Sequence, residues 1–213
     1  MPDVAWENER ETERDAVTAC AVPTRRSLLA TTLAACASLA ASRHASAGDD
    51  KPGSSDRPQK DDLLVATAGA QARKVIKPSD LKLNGPPVHA WPKDHKTEVI
   101  RSGSRLNEIL LIKLDPAELD DDTRSRAVDG IVAYSAICTH AGCSVTEWVK
   151  ATEGDRNVFK CPCHNSEFDP RHGANVVFGP APRRLPALPL AISGDSLTVA
   201  GPFAGKVGVQ QSG

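Results

Sequence analysis

The chain has 213 residues, 40% of them hydrophobic and 25% charged, with a formal net charge of −1. That length leaves room for a leader and one domain of about 150 residues. Residues 1–47 carry five basic and six acidic side chains, so the remainder balances at 21 against 21, with no basic stripe. A neutral domain exerts little long-range pull on phosphate, which excludes nucleic-acid binding.

The first 47 residues read as an export signal. Arg25-Arg26 precedes a mild apolar run, Leu28 to Ala41, and Ala45-Ser46-Ala47 offers a small-x-small cleavage site. This resembles a twin-arginine leader, the bacterial route that carries folded cargo to the periplasm. The stretch Ser27 to Ser42 is shorter than the roughly 20 residues that span a bilayer, so cleavage is favoured over a retained membrane anchor. Leu33-Ala34-Ala35-Cys36 also resembles a lipidation box, against which the apolar residues after Cys36 argue. Residues 1–23 are long and acidic for the front of a signal, and the true start codon then lies further in, or this stretch is disordered.

Residues 48–62, rich in Pro, Gly, Ser, Asp and Lys, read as a flexible linker, and residues 63–213 as one domain. From Leu63 onward short apolar runs alternate with turn signals, an all-β pattern. Strands are expected at 74–76, 88–91, 98–101, 109–114, 131–137, 145–149, 158–161, 175–178, 188–192 and 196–200. Asp115-Pro116 resembles a helix start, which predicts a short helix over 116–127. Ser193-Gly194-Asp195 predicts a hairpin turn. Aromatics are scarce, so the core must rest on aliphatic residues helped by Trp91, Trp148, Phe159 and Phe168.

Two short boxes carry the chemistry: Cys138-Thr139-His140-Ala141-Gly142-Cys143 and Cys161-Pro162-Cys163-His164-Asn165-Ser166. Each offers a thiolate and an imidazole at ligand spacing, with one cysteine left over. Such a set suits a binuclear iron cluster with one sulfur-held and one nitrogen-held iron. The alternative is a structural zinc site. It leaves Cys143 and Cys163 unexplained, and a zinc protein is colourless where an iron–sulfur protein is red-brown.

The pattern Cys-x-His, 20 residues, Cys-x2-His resembles the Rieske [2Fe–2S] family, most closely over residues 131–192. The resemblance implies a small antiparallel β-sandwich with a cluster-binding subdomain at one tip. It implies that Cys138 and Cys161 hold one iron and His140 and His164 the other. It implies a disulfide between Cys143 and Cys163, as in respiratory members, which points to an oxidising compartment. Around the cluster it implies roles for Ser166, whose hydroxyl donates to a bridging sulfide, and for a covering proline loop, Gly179-Pro180-Ala181-Pro182. Phe168 stands where quinol-oxidising members usually carry tyrosine, which predicts a lower potential. Ala141 replaces a usual leucine, so the cluster is less shielded; Asn165 replaces a glycine. Arg171, His172, Arg183 and Arg184 suggest a small basic patch or a plain solvated face, and the latter is favoured. His89 and His95 have no partner spacing and are assigned no role.

The function implied is one-electron transfer by a subunit similar to the iron–sulfur protein of quinol–cytochrome c reductase, rather than catalysis by this chain alone. Its donor would be quinol or a larger oxidoreductase subunit, and its acceptor a c-type cytochrome or another redox protein. It would work in the periplasm or at the periplasmic face of the inner membrane, with possible attachment through the N-terminal segment. The alternatives are the small Rieske subunit of a periplasmic molybdenum oxidase of the arsenite oxidase type, a free-standing carrier, or a structural metal module without redox function.

Overall fold

The computed structural model describes residues 51–209; the expected export signal and the last four residues lie outside them. In chain order the strands are β1 (Leu63–Ala66), β2 (Val88–Lys93), β3 (Ile109–Lys113), β4 (Ile131–Ser135), β5 (Glu147–Lys150), β6 (Asn157–Lys160), β7 (Glu167–Asp169), β8 (Asn175–Phe178), β9 (Leu190–Ser193) and β10 (Ser196–Val199). Six of them form a sheet in the order β4-β3-β2-β1-β10-β9, and four form a second sheet, β5-β6-β7-β8. All strand pairs are antiparallel. The all-β expectation holds.

The larger sheet curls toward closure. Residues 186–188 return along the outer edge of β4, where Ser135 N–H donates to Pro186 O and Leu188 N–H to Ala133 O, both at 2.9 Å. Strands β3 and β4 are apolar at almost every position because both their faces are covered. Ile109, Leu111, Ile131 and Ala133 point into the core of the curled sheet. Leu110, Ile112, Val132 and Tyr134 point the other way, into a second core with Phe159, Phe168 and Leu185. This second core supports the smaller sheet, which is inserted in the chain between β4 and β9. Tyr134 is a core residue that the sequence reading missed. Its ring meets Phe159 edge-on and its hydroxyl donates to Pro170 O at 2.8 Å, so its polar end is satisfied in the interior.

Several elements differ from expectation. The runs at 74–76 and 98–101 make single bridges, Val65 to Val75 and Lys93 to Ile100. The helix over 116–127 divides into a 3-10 turn, Pro116–Glu118, and a four-residue helix α1 (Asp121–Arg124). Asp115 caps the first through Ala117 N–H and Asp120 caps the second through Thr123 N–H. Between them Leu119 is extended and buried, so the chain breaks helical geometry to bury that side chain. Strands β1 and β7 are additional.

Residues 51–62, expected to be linker, are fixed to the domain. Arg101 is buried and grips the buried Asp62 with two hydrogen bonds of 2.7 and 3.0 Å. It also reaches Asp94 at 3.2 Å and the Gly53 carbonyl at 3.2 Å. Asn107 donates to the Asp56 carbonyl at 2.7 Å. The Gly- and Ser-rich composition here encodes tight turns rather than free chain. Among the described residues no helix is long and apolar enough to cross a membrane.

Candidate metal centre

Both boxes are loops that leave and re-enter sheet structure, and they share one backbone design. In the first, between β4 and β5, Cys138 N–H donates to Cys143 O (2.8 Å) and Gly142 N–H to Cys138 O (3.1 Å). In the second, between β6 and β7, Cys161 N–H donates to Ser166 O (2.9 Å) and Asn165 N–H to Cys161 O (3.0 Å). Each turn needs a left-handed residue four places after its first cysteine. Gly142 takes φ 73° and Asn165 takes φ 58°. Asparagine is one of the few side chains that adopts this conformation readily, which explains why it can stand in for glycine.

The Cys143–Cys163 disulfide joins the two loops, with Cα atoms 6.5 Å apart. Cys138 and Cys161 remain free thiols and are buried. Burial pushes the Cys161 thiol up, and the adjacent Cys138 thiol adds to the rise, while the N–H groups of Cys163 and His164 oppose it. The His140 and His164 rings stand edge to face, 4.6 Å between centroids. His164 is exposed and His140 half-buried. The Nδ1 of His140 is buried with no hydrogen-bond partner. A buried polar atom left unpaired costs about 1–3 kcal/mol, which a metal bond at that nitrogen would offset. The sulfurs of Cys143, Cys161 and Cys163 also lie within 4.8 Å of one another. Two of these form the disulfide, so that trio offers one thiolate and is no ligand set. Two buried thiols and two facing imidazoles fit the donor set that a mixed-ligand iron–sulfur centre needs.

The proline loop binds both boxes. Ala181 N–H donates to the Ser166 hydroxyl at 3.1 Å, and the Thr139 hydroxyl donates to Arg183 O at 2.6 Å. Ser166 accepts with its oxygen, so its own proton is left to donate. Gly179 has φ 90°, and a β-carbon there would stand 2.6 Å from Ser166 Cα and 2.9 Å from Asn165 O. Only glycine lets the loop approach this closely. Phe168 is fully buried and pairs across strands with Phe159, in the same core as Cys138 and Cys161.

The Rieske [2Fe–2S] domain model matches residues 72–189. The chain belongs to the Rieske [2Fe–2S] family. As a Rieske protein it carries one [2Fe–2S] cluster and passes single electrons. It is 33% identical over 158 residues to the cytochrome bc1 complex Rieske iron–sulfur subunit of Streptomyces lividans, covering 70% of this chain and 85% of that one. It is 48% identical over 82 residues to a protein described as the Rieske subunit of a respiratory nitrate reductase in Haloferax mediterranei, covering 38% of this chain and 34% of that one. The chain spans 41% of the Streptomyces coelicolor subunit, which it matches at 33% identity. A solved structure, the plasma membrane Rieske protein of Synechocystis PCC 6803, aligns with TM-score 0.32 and 28% identity over 52% of this chain and 84% of that one.

The four-residue basic patch does not form. Arg171 is buried and donates to Glu118 at 2.9 Å and to Asn157 O at 3.0 Å. His172 Nδ1 lies 2.7 Å from an Asp169 carboxylate oxygen. His89 Nδ1 likewise lies 2.7 Å from a Glu108 carboxylate oxygen. The contacts of three side chains at this Rieske site were not legible in the sequence. Arg105 donates to Gly142 O at 2.7 Å. Arg183 donates to Lys206 O at 2.6 Å and to Gly208 O, which holds the C-terminal stretch beside the first box. The Thr139 bond to the proline loop is the third. Each pairs a side chain with a remote carbonyl, and no spacing rule announces such a partner.

Proposed function

We propose that Cys138 and Cys161 hold one iron as thiolates and that His140 and His164 hold the other. The convergence of two buried free thiols with two facing imidazoles, one with an orphaned nitrogen, carries this reading. The cluster, when bound, cycles by one electron, and imidazole ligation places its potential above that of all-cysteine clusters. The chain's own residues then do three things. The disulfide and the proline loop fix the two ligand loops relative to each other. Pro180 and Pro182 lack N–H groups and restrict the covering backbone. The Ser166 hydroxyl, oriented by Ala181 N–H, supplies a hydrogen bond that tunes the site, while Phe168 supplies none.

The chain serves as the iron–sulfur subunit of a respiratory complex of the cytochrome bc1 type, taking electrons from quinol and passing them to a c-type cytochrome. The similarity to the Streptomyces lividans subunit along 85% of its length supports this. Residues 1–47 deliver the loaded protein to the periplasmic side by the twin-arginine route, and residues 63–213 form the redox domain. The Haloferax similarity favours a second reading, a Rieske subunit that relays electrons for a larger reductase. Affinity purification of the tagged protein from membranes, with partners identified by mass, separates them. Recovery of a cytochrome b supports the first, and recovery of a large molybdopterin subunit alone refutes it. N-terminal sequencing of the exported form tests cleavage after Ala47.

A further inference from the structure

A groove of about 270 Å³ lies beside the proline loop, lined by Arg183, Arg184, Pro186, Ala204, Gly205 and Lys206. Three of these are cations. Arg183 donates to two neutral carbonyls, its Nε is buried without a hydrogen-bond partner, and among the described residues no carboxylate offsets its charge. Lys206 is exposed, and its ammonium has no carboxylate partner among the described residues. The carboxylate that reaches Arg184 is Asp122, at 3.5 Å, and Arg126 already holds both of its oxygens. The groove thus concentrates positive charge on a domain whose overall charge is balanced. One wall of it touches the first box: Arg183 O accepts the hydroxyl of Thr139, the residue between Cys138 and His140.

We propose that this groove is a docking point for carboxylates of an acidic redox protein that exchanges electrons with the cluster. The inference rests on the ligand assignment above for the cluster's place behind this wall. At about 270 Å³ the groove falls below the usual range of small-molecule sites, and its lining has no aromatic platform. One or two carboxylate side chains fit both its size and its charge. Cations at the mouth of a redox site speed encounter with anionic partners by about 10–10³ fold at low ionic strength, and salt removes the advantage.

The test uses the holoprotein and the variant Arg184→Glu/Lys206→Glu, which spares Arg183 and both boxes. Calorimetric titration with poly-L-glutamate should show binding to the wild type and at least about tenfold weaker binding to the variant. Stopped-flow oxidation of the reduced protein follows one electron from the cluster to ferricyanide, giving ferrocyanide. The wild-type rate should fall at least about tenfold from low to high salt and be slowed by poly-L-glutamate. The variant should lose both effects, while its oxidation by the cationic tris(phenanthroline)cobalt(III) becomes faster. Unchanged poly-L-glutamate binding and an unchanged ferricyanide profile in the variant would overturn the proposal. So would competition by phosphatidylglycerol vesicles without competition by poly-L-glutamate, which would assign the groove to a lipid surface. Failure of the ligand assignment reads out separately, as a missing Rieske spectrum, and the titration reports on the groove in either case.

Discussion

Replacing Gly179 by alanine probes how tightly the proline loop must sit on the second box. The new β-carbon would lie 2.6 Å from Ser166 Cα and 2.9 Å from both Asn165 O and Ser166 N. All three are backbone atoms that cannot rotate away. Overpacking of this kind costs about 1–3 kcal/mol, and a side chain at φ 90° adds about 1–2 kcal/mol. The expected loss is about 2–5 kcal/mol, a large fraction of the roughly 5–15 kcal/mol that holds a domain together. The cheapest relief is outward movement of the loop, which breaks the bond from Ala181 N–H to Ser166 and lowers the reduction potential. Gly194→Ala is the control: φ there is 62°, but nothing lies within 4 Å of the added carbon, so the backbone cost stands alone. Urea unfolding followed at the cluster's visible band, with redox titration, measures both. Equal destabilisation by the two substitutions, with an unmoved potential in Gly179→Ala, would refute the close-packing argument.

Replacing Cys143 and Cys163 together by serine should cost about 3 kcal/mol in the chain-entropy model for a bridge across 20 residues, read as a lower urea midpoint. Phe168→Tyr places a phenol donor in the core that holds Cys138 and Cys161 and should raise the reduction potential; no upward shift would remove the phenol from the account. Asp62→Ala removes the two shortest bonds of the buried Arg101 guanidinium, leaving it Asp94 and the Gly53 carbonyl, and should cost about 1.5–3 kcal/mol. The same variant should free residues 51–62, making Lys60 the first site of tryptic cleavage, since Pro58 shields the bond after Arg57.

The fold class and the site were legible to different depths. The boxes announce themselves because thiolate and imidazole ligands are rare residues at fixed spacing, and both loops fall where that spacing puts them. Strands β3 and β4 were legible as unbroken apolar runs. Strand β7 was not, because Glu167 looks like a surface residue, yet it is buried with Thr152 donating both N–H and O–H to its carboxylate. The linker reading failed for a related reason. Composition reports turn propensity, but a single remote arginine decides whether those turns dock. The common backbone design of the two boxes was partly legible: Asn165 in a glycine's place signals a left-handed residue, but the matching turn hydrogen bonds leave no mark in the sequence.

Nitrogen-15 electron–nuclear double resonance on the reduced, histidine-labelled protein tests the ligand assignment most directly. The account predicts two strongly coupled histidine nitrogens, with that coupling abolished when His140 and His164 are both replaced by serine. A wild-type cluster signal with no coupled nitrogen, or couplings that survive that double replacement, would contradict it.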